Sequence, residues 1–124
     1  MLLEAEPKNC KYIGLKATIF SSTEQYIESE KALLSQLEYG CDSVKCYIML
    51  SNVNSYQKNY VKAIEHLDKA IRLKPDSADI YVERATIYMF MKDKKNKIKN
   101  LQKAKSLGSK QAAELLEIIE HPEK

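Results

Sequence analysis

The side chains best suited to chemistry in this 124-residue chain are three cysteines, two histidines and a run of lysines. Cys41 and Cys46 stand five apart across a turn, which is not a zinc-ligand spacing, and no second cysteine pair completes a Cys41, Cys46, His66 site. The odd count of Cys10, Cys41 and Cys46 makes no self-contained disulfide framework and favours a reducing compartment. His66 lies beside Glu65 with no nucleophile motif around it and reads as a surface or rim residue, while His121 falls in the polar tail. The chain holds no phosphate-cradling glycine loop, no distinctive pair of carboxylates and no nucleophile elbow. No catalytic, cofactor-binding or metal site is therefore expected.

The lysines Lys92, Lys94, Lys95, Lys97, Lys99, Lys103, Lys105 and Lys110 fall within 19 residues, with Asp93 the only acid among them. Such a cluster suits phosphates of nucleic acid or an anionic membrane. This run has no arginine and no interleaved aromatic for base stacking. It reads as a solvated helix face whose late lysines favour a helix C-terminus, so nucleic-acid and membrane partners are not expected. Residues 92–124 hold nine lysines against five acids, although the whole chain carries only +3.

The elements that position these residues follow from apolar spacing and caps. Three Gly and three Pro argue against an all-β fold, and no apolar run approaches the length of a membrane span. The N-terminus lacks the basic and apolar regions of a signal peptide, and a cytoplasmic location is expected. The patterning predicts seven helices: about 10–20, 24–38, 44–55, 59–73, a fifth ending at Met91, 94–106, and a last one ending near Glu120. Ser22 or Thr23, Asp42 or Ser43, Asp76 or Ser77, Asp93 and Ser109 are the expected N-caps, because short polar side chains accept the orphan N–H groups of a first turn. Gly40, Pro75 and Gly108 are the expected stops. Residues 1–9 and 121–124 read as frayed.

A 34-residue period organises these helices. Its clearest copy, residues 44–77, carries Tyr47, Leu50, Ser51, Ala63, Leu67, Ala70 and Pro75 in register; copies at 10–43 and 78–111 flank it. Small residues allow helices to cross closely, large ones fill the gaps, and one hairpin cannot bury its apolar face alone, so hairpins must stack. At these residues the chain resembles the tetratricopeptide repeat family. The third copy keeps Tyr81, Ala85, Tyr88, Leu101 and Ala104 but has Lys97 at an alanine position; the first has Ser29, Gln36 and Cys41 where the family prefers alanine, a small residue and proline. The resemblance implies one all-α domain over residues 10–120: three antiparallel helix-turn-helix repeats and a capping helix at about 109–120, in a short right-handed superhelix. In that last helix Leu115, Leu116, Ile118 and Ile119 face Glu114, Glu117 and Glu120 across the axis.

The resemblance also implies a protein–protein interaction adaptor that binds a partner segment on a concave face lined by the first helix of each pair. Groove positions carried across are Lys11, Gly14, Leu15 and Thr18; then Lys45, Ile48, Met49, Asn52 and Tyr56; then Asp79, Val82, Glu83, Thr86, Met89 and Phe90. One subgroup grips chaperone C-terminal carboxylates with a Lys, Asn and Arg clamp. Here those places hold Gly14, Thr18, Met49, Asp79 and Glu83: the cations are absent, and the two acids would repel a carboxylate. An apolar groove with an acidic edge remains, in which Ile48, Met49, Val82, Met89 and Phe90 are candidates to accept apolar side chains. Two alternatives stand beside it: homo-oligomeric self-association through an apolar end surface, and an electrostatic tether to an acidic partner through the 92–110 lysines.

Overall fold

The computed structural model describes residues 10–123, so the fraying expected of residues 1–9 lies outside the described residues. Among the described residues there are seven α-helices and no strand: α1 (Cys10–Ser22), α2 (Tyr26–Glu38), α3 (Ser43–Tyr56), α4 (Tyr60–Leu73), α5 (Ala78–Phe90), α6 (Lys94–Ser106) and α7 (Lys110–Glu120). The fold is all-α and built from repeated helix pairs. The chain divides into two compact units, one up to His66 and one from Leu67 onward, with the division inside α4.

The 34-residue period is written in the backbone itself. Glu24, Lys58 and Lys92, each 34 residues from the next, adopt φ of 60°, 64° and 60°. Each follows the first helix of a pair. The next N–H in each case, from Gln25, Asn59 and Asp93, reaches back to the carbonyls of Phe20, Asn54 and Tyr88 at 2.7, 2.8 and 2.9 Å. This left-handed stop satisfies carbonyls that the helix end would otherwise leave open. Gly40 and Gly108, at φ 75° and 99°, end α2 and α6 in the same way, and glycine adopts that conformation without a Cβ penalty.

The caps follow the expected chemistry with two corrections, one of which is at α5, where Ser77 holds the N-cap position but its side chain makes no capping hydrogen bond. Asp42 accepts from the Lys45 N–H, Asp93 from Asn96, and Ser109 from the Ala112 N–H. Ser22 and Thr23 do not cap α2, which begins after Gln25 without a side-chain cap. Their hydroxyls instead donate backward to carbonyls of Ile19 and Phe20. The three-residue stop around Glu24 leaves them on the outgoing turn of α1 rather than the incoming turn of α2.

In the first unit the core is Ile13, Ala17, Ala32, Leu33, Cys46, Leu50 and Val53, with Tyr26, Leu37, Tyr47 and Met49 packed against it. Ser29 is fully buried there, and its hydroxyl donates to the Ala17 carbonyl at 2.8 Å. In the second unit Val82, Ala85, Leu101, Ala104, Ala112 and Leu116 form the core, flanked by Ala78, Tyr81, Ile98 and Ile119. The apolar side expected of α7 divides: Ala112 and Leu116 are buried, whereas Leu115 and Ile118 are exposed. A polar chain crosses this unit: Arg84 donates to Asp68 at 2.6 Å and to Asn100 Oδ1 at 2.8 Å, and Asn100 donates to the Asn96 carbonyl. The Arg84 guanidinium also lies 5.4 Å from the Tyr81 ring centre, and the Lys103 ammonium 6.0 Å.

Two expectations about reactive side chains are overturned. Cys10 and Cys41 are joined in a disulfide, with Cα atoms 5.7 Å apart. The odd count misled because the hairpin returns the turn after α2 to the start of α1, so two of the three thiols meet. The pairing removes the support that an odd cysteine count lends to a reducing compartment. His66 is not on the rim: it is 8% exposed and stacks on Tyr47 at 6.2 Å between ring centres. Among the described residues no helix is long and apolar enough to cross a membrane.

Candidate functional site

The first unit carries an open groove along α1 and α3. Two adjoining depressions of about 460 and 390 Å³ share Thr18 and Met49. The first is lined by Lys11, Gly14, Leu15 and Thr18 of α1 and by Lys45 and Met49 of α3, with Cys10, Gln36, Cys41 and Asp42 closing its end. The second continues past Asn52, Val53 and Tyr56 to Ser21, Ser22, Glu24 and Tyr26.

These side chains share a face because each helix presents every third or fourth residue to one side. Lys11, Leu15 and Thr18 form such a row on α1, and Lys45, Met49, Asn52 and Tyr56 form the matching row on α3. Gly14 has a steric reason: a Cβ there would lie 2.9 Å from Gln36 Nε2. Gln36 uses this space to donate to the Cys10 carbonyl at 3.0 Å. At the far end the Tyr26 and Tyr56 rings meet at 5.6 Å, tilted by 32°. Leu15 and Tyr56 are 57% and 62% exposed, a large apolar surface to leave in water.

The groove unites eight of the positions expected from the sequence: Lys11, Gly14, Leu15, Thr18, Lys45, Met49, Asn52 and Tyr56. Ile48 is half-buried and does not line it. Asp79, Glu83, Thr86, Met89 and Phe90 all lie on α5, in the second unit. Met89 and Phe90 are about half exposed, and the Thr86 hydroxyl donates to the Val82 carbonyl. Val82 leaves the candidate set, because it is 8% exposed within the core of its unit. Burial pushes the Glu83 carboxyl above its ordinary value, and the nearby Asp79 charge pushes it further.

Sequence reasoning missed Gln36, Asp42 and Tyr26 as lining residues. They come from α2 and the turns, whereas the repeat register speaks only for the first helix of each pair. The remaining thiol, Cys46, is buried and donates to the Leu33 carbonyl at 2.9 Å. Burial pushes its pKa up to about 11, so it is a core group rather than a nucleophile. Glu117, Glu120 and His121 bring ligand atoms within 4.8 Å of one another on an exposed helix end, where exposed acidic groups are common without an ion.

Residues 54–91 match the family model described as TPR repeat, and residues 78–113 match one described as Tetratricopeptide repeat. Among solved structures the chain is similar to MamA at 21% identity and a TM-score of 0.74, over 86% of this chain and 63% of that one. It is similar to pilF of Pseudomonas aeruginosa at 16% identity and a TM-score of 0.68, over 93% and 57%. It is also similar to YrrB, described as a TPR protein with an unusual peptide-binding site, at 15% identity and a TM-score of 0.50, over 93% and 77%. The chain thus spans less than two thirds of the MamA and pilF chains. No curated protein matches the sequence. Identities this low speak to the fold alone.

Proposed function

The chain is a tetratricopeptide-repeat protein, and from that premise we propose that it is an interaction scaffold seating an extended partner segment in the groove between α1 and α3. One observation carries this: two adjoining depressions that share Thr18 and Met49 and are lined by the exposed Leu15 and Tyr56. A partner's apolar side chains would cover that surface, and methionine adapts to varied shapes. The row on α5, with Asp79, Thr86, Met89 and Phe90 exposed, is a separate candidate contact surface of the second unit.

Affinity capture with the purified chain tests this. Leu15→Asp and Tyr56→Asp, both at exposed positions, should abolish partner capture and leave the far-ultraviolet circular dichroism unchanged. Ile27→Asp, on an equally exposed site of α2 outside the groove, should capture as the wild type does. Retention of partners by Leu15→Asp would refute the assignment. A second use, self-association, draws on Leu115 and Ile118, which are 38% and 64% exposed on α7. Sedimentation equilibrium decides it: a concentration-independent monomer excludes it, and a dimer dispersed by Ile118→Glu supports it.

A further inference from the structure

The groove is electrically polar along its length, and that polarity selects an occupant. At the Cys10 and Cys41 end stand the ammonium groups of Lys11 and Lys45, both on exposed residues. The first turn of α3 lies at the same end and adds the partial positive charge of a helix start. Among the described residues the one acid lining this end is Asp42, whose Oδ1 accepts the Lys45 N–H at 3.1 Å. At the opposite end α1 and α3 terminate, which places the negative ends of both helices there, and Glu24 adds a carboxylate. Between the ends the lining is Leu15, Met49, Val53 and the Tyr26–Tyr56 pair.

We propose that the occupant is an extended acidic–apolar peptide segment, held with its carboxylates at the Lys11 and Lys45 end and its apolar side chains over Leu15, Met49 and Tyr56. This rests on the groove being a peptide site at all. The 13 residues of α1 span about 20 Å, so about six residues of extended chain fill the groove. Two side-chain carboxylates at one end and two or three apolar groups behind them complement both charge and surface. The lysines lie inside a groove rather than on a convex face, which suits a strand-like peptide better than a flat anionic membrane. A basic segment meets two ammonium groups at one end and gains only Glu24 at the other. The internal lysine pair differs from a C-terminal clamp, because side-chain carboxylates satisfy it wherever the segment lies in its protein.

A phage-displayed random dodecapeptide library, selected on the full chain, provides the probe without a known partner. The enriched clones should carry two or more Asp or Glu on one side of Leu, Ile, Met or Phe. The leading clone is then made as an acetylated, amidated and fluorescein-labelled peptide for anisotropy at low salt. Its Kd should rise about tenfold for the Lys11→Glu/Lys45→Glu variant, and similarly when its acids are changed to Gln, as two rim charge pairs of ordinary strength require. The double variant should in turn select basic clones. Enrichment of apolar clones without acids, displaced by Leu15→Asp but indifferent to the double variant, would overturn acidic selection and leave the groove standing. No enrichment, or clones indifferent to Leu15→Asp, would overturn both.

Discussion

Opening the Cys10–Cys41 bond should destabilise the protein by about 3 kcal/mol. The bond joins residues 31 apart in sequence. Closing a loop of that length restricts the unfolded chain by an entropy that corresponds to about 3–4 kcal/mol at room temperature. The native state needs little compensation, because Ile13, Ala17 and the Gln36 hydrogen bond hold α1 on α2 without it. For a chain of this size the loss lowers the melting temperature by on the order of 10 °C. Thermal unfolding by circular dichroism, with and without a phosphine reductant, measures it, and Cys10→Ser/Cys41→Ser should melt like the reduced wild type in both conditions. Amides of α1 should lose hydrogen-exchange protection first. Thiol counting supplies the stricter check. Protein purified without reductant and unfolded in urea should take up iodoacetamide once, at Cys46, and three times after reduction. Three modified cysteines before reduction, or superimposable melts, would refute the reasoning.

Three further outcomes follow from buried polar groups. Arg84→Ala should cost about 1–3 kcal/mol in urea unfolding, because it leaves Asn100 Oδ1 unpaired on a residue that is only 5% exposed; a loss below a few tenths would show that the Asp68–Arg84–Asn100 chain contributes nothing. Glu83→Gln should raise the melting temperature at pH 7. The Glu83 carboxyl titrates above its ordinary value when folded, so its contribution is full below the unfolded carboxylate range and is lost as pH rises through the folded value; the gain should vanish near pH 4, and a gain constant over the scan would sink this account. Cys46, with its thiol pushed up to about 11 from 9.0, favours the folded state below pH 9 and loses that preference as pH rises toward 11. Dithionitrobenzoate should therefore react with it at pH 8 only as fast as the protein opens, and immediate reaction in native buffer would contradict its burial.

Sequence legibility varied along the chain for identifiable reasons. The ends of α6 and α7 fell where expected because Asp93, Ser109 and Gly108 each have one helix end to serve. The start of α2 did not, because Ser22 and Thr23 carry hydroxyls that suit either side of a turn, and the left-handed Glu24 decides which side they meet. No residue type announces that conformation at Glu24, Lys58 or Lys92; only the 34-residue spacing does. In the groove, the α1 and α3 rows were legible from register. Gln36, Asp42 and the disulfide were not, since their place depends on how the α1–α2 hairpin closes. Asp68, Arg84 and Asn100 lie 16 apart on three helices, a spacing that belongs to no local motif.

The departures of the first copy from the repeat pattern share one destination. Ser29, Gln36 and Cys41 each reach α1: Ser29 through the Ala17 carbonyl, Gln36 through the Cys10 carbonyl, and Cys41 through the Cys10 sulfur. Of the 13 residues of α1 only Ile13 and Ala17 are buried, a narrow apolar contact. Polar and covalent attachment to α2 adds to that contact. The alternative, a wider apolar face on α1, would have turned Leu15 or Ile19 inward; both remain exposed, at 57% and 53%. Holding α1 by its backbone and its first residue thus leaves Lys11, Leu15 and Thr18 free to line the groove. Restoring alanine, a small residue and proline at 29, 36 and 41 would bring the first copy closer to the pattern while removing the attachments that let α1 serve as a groove wall.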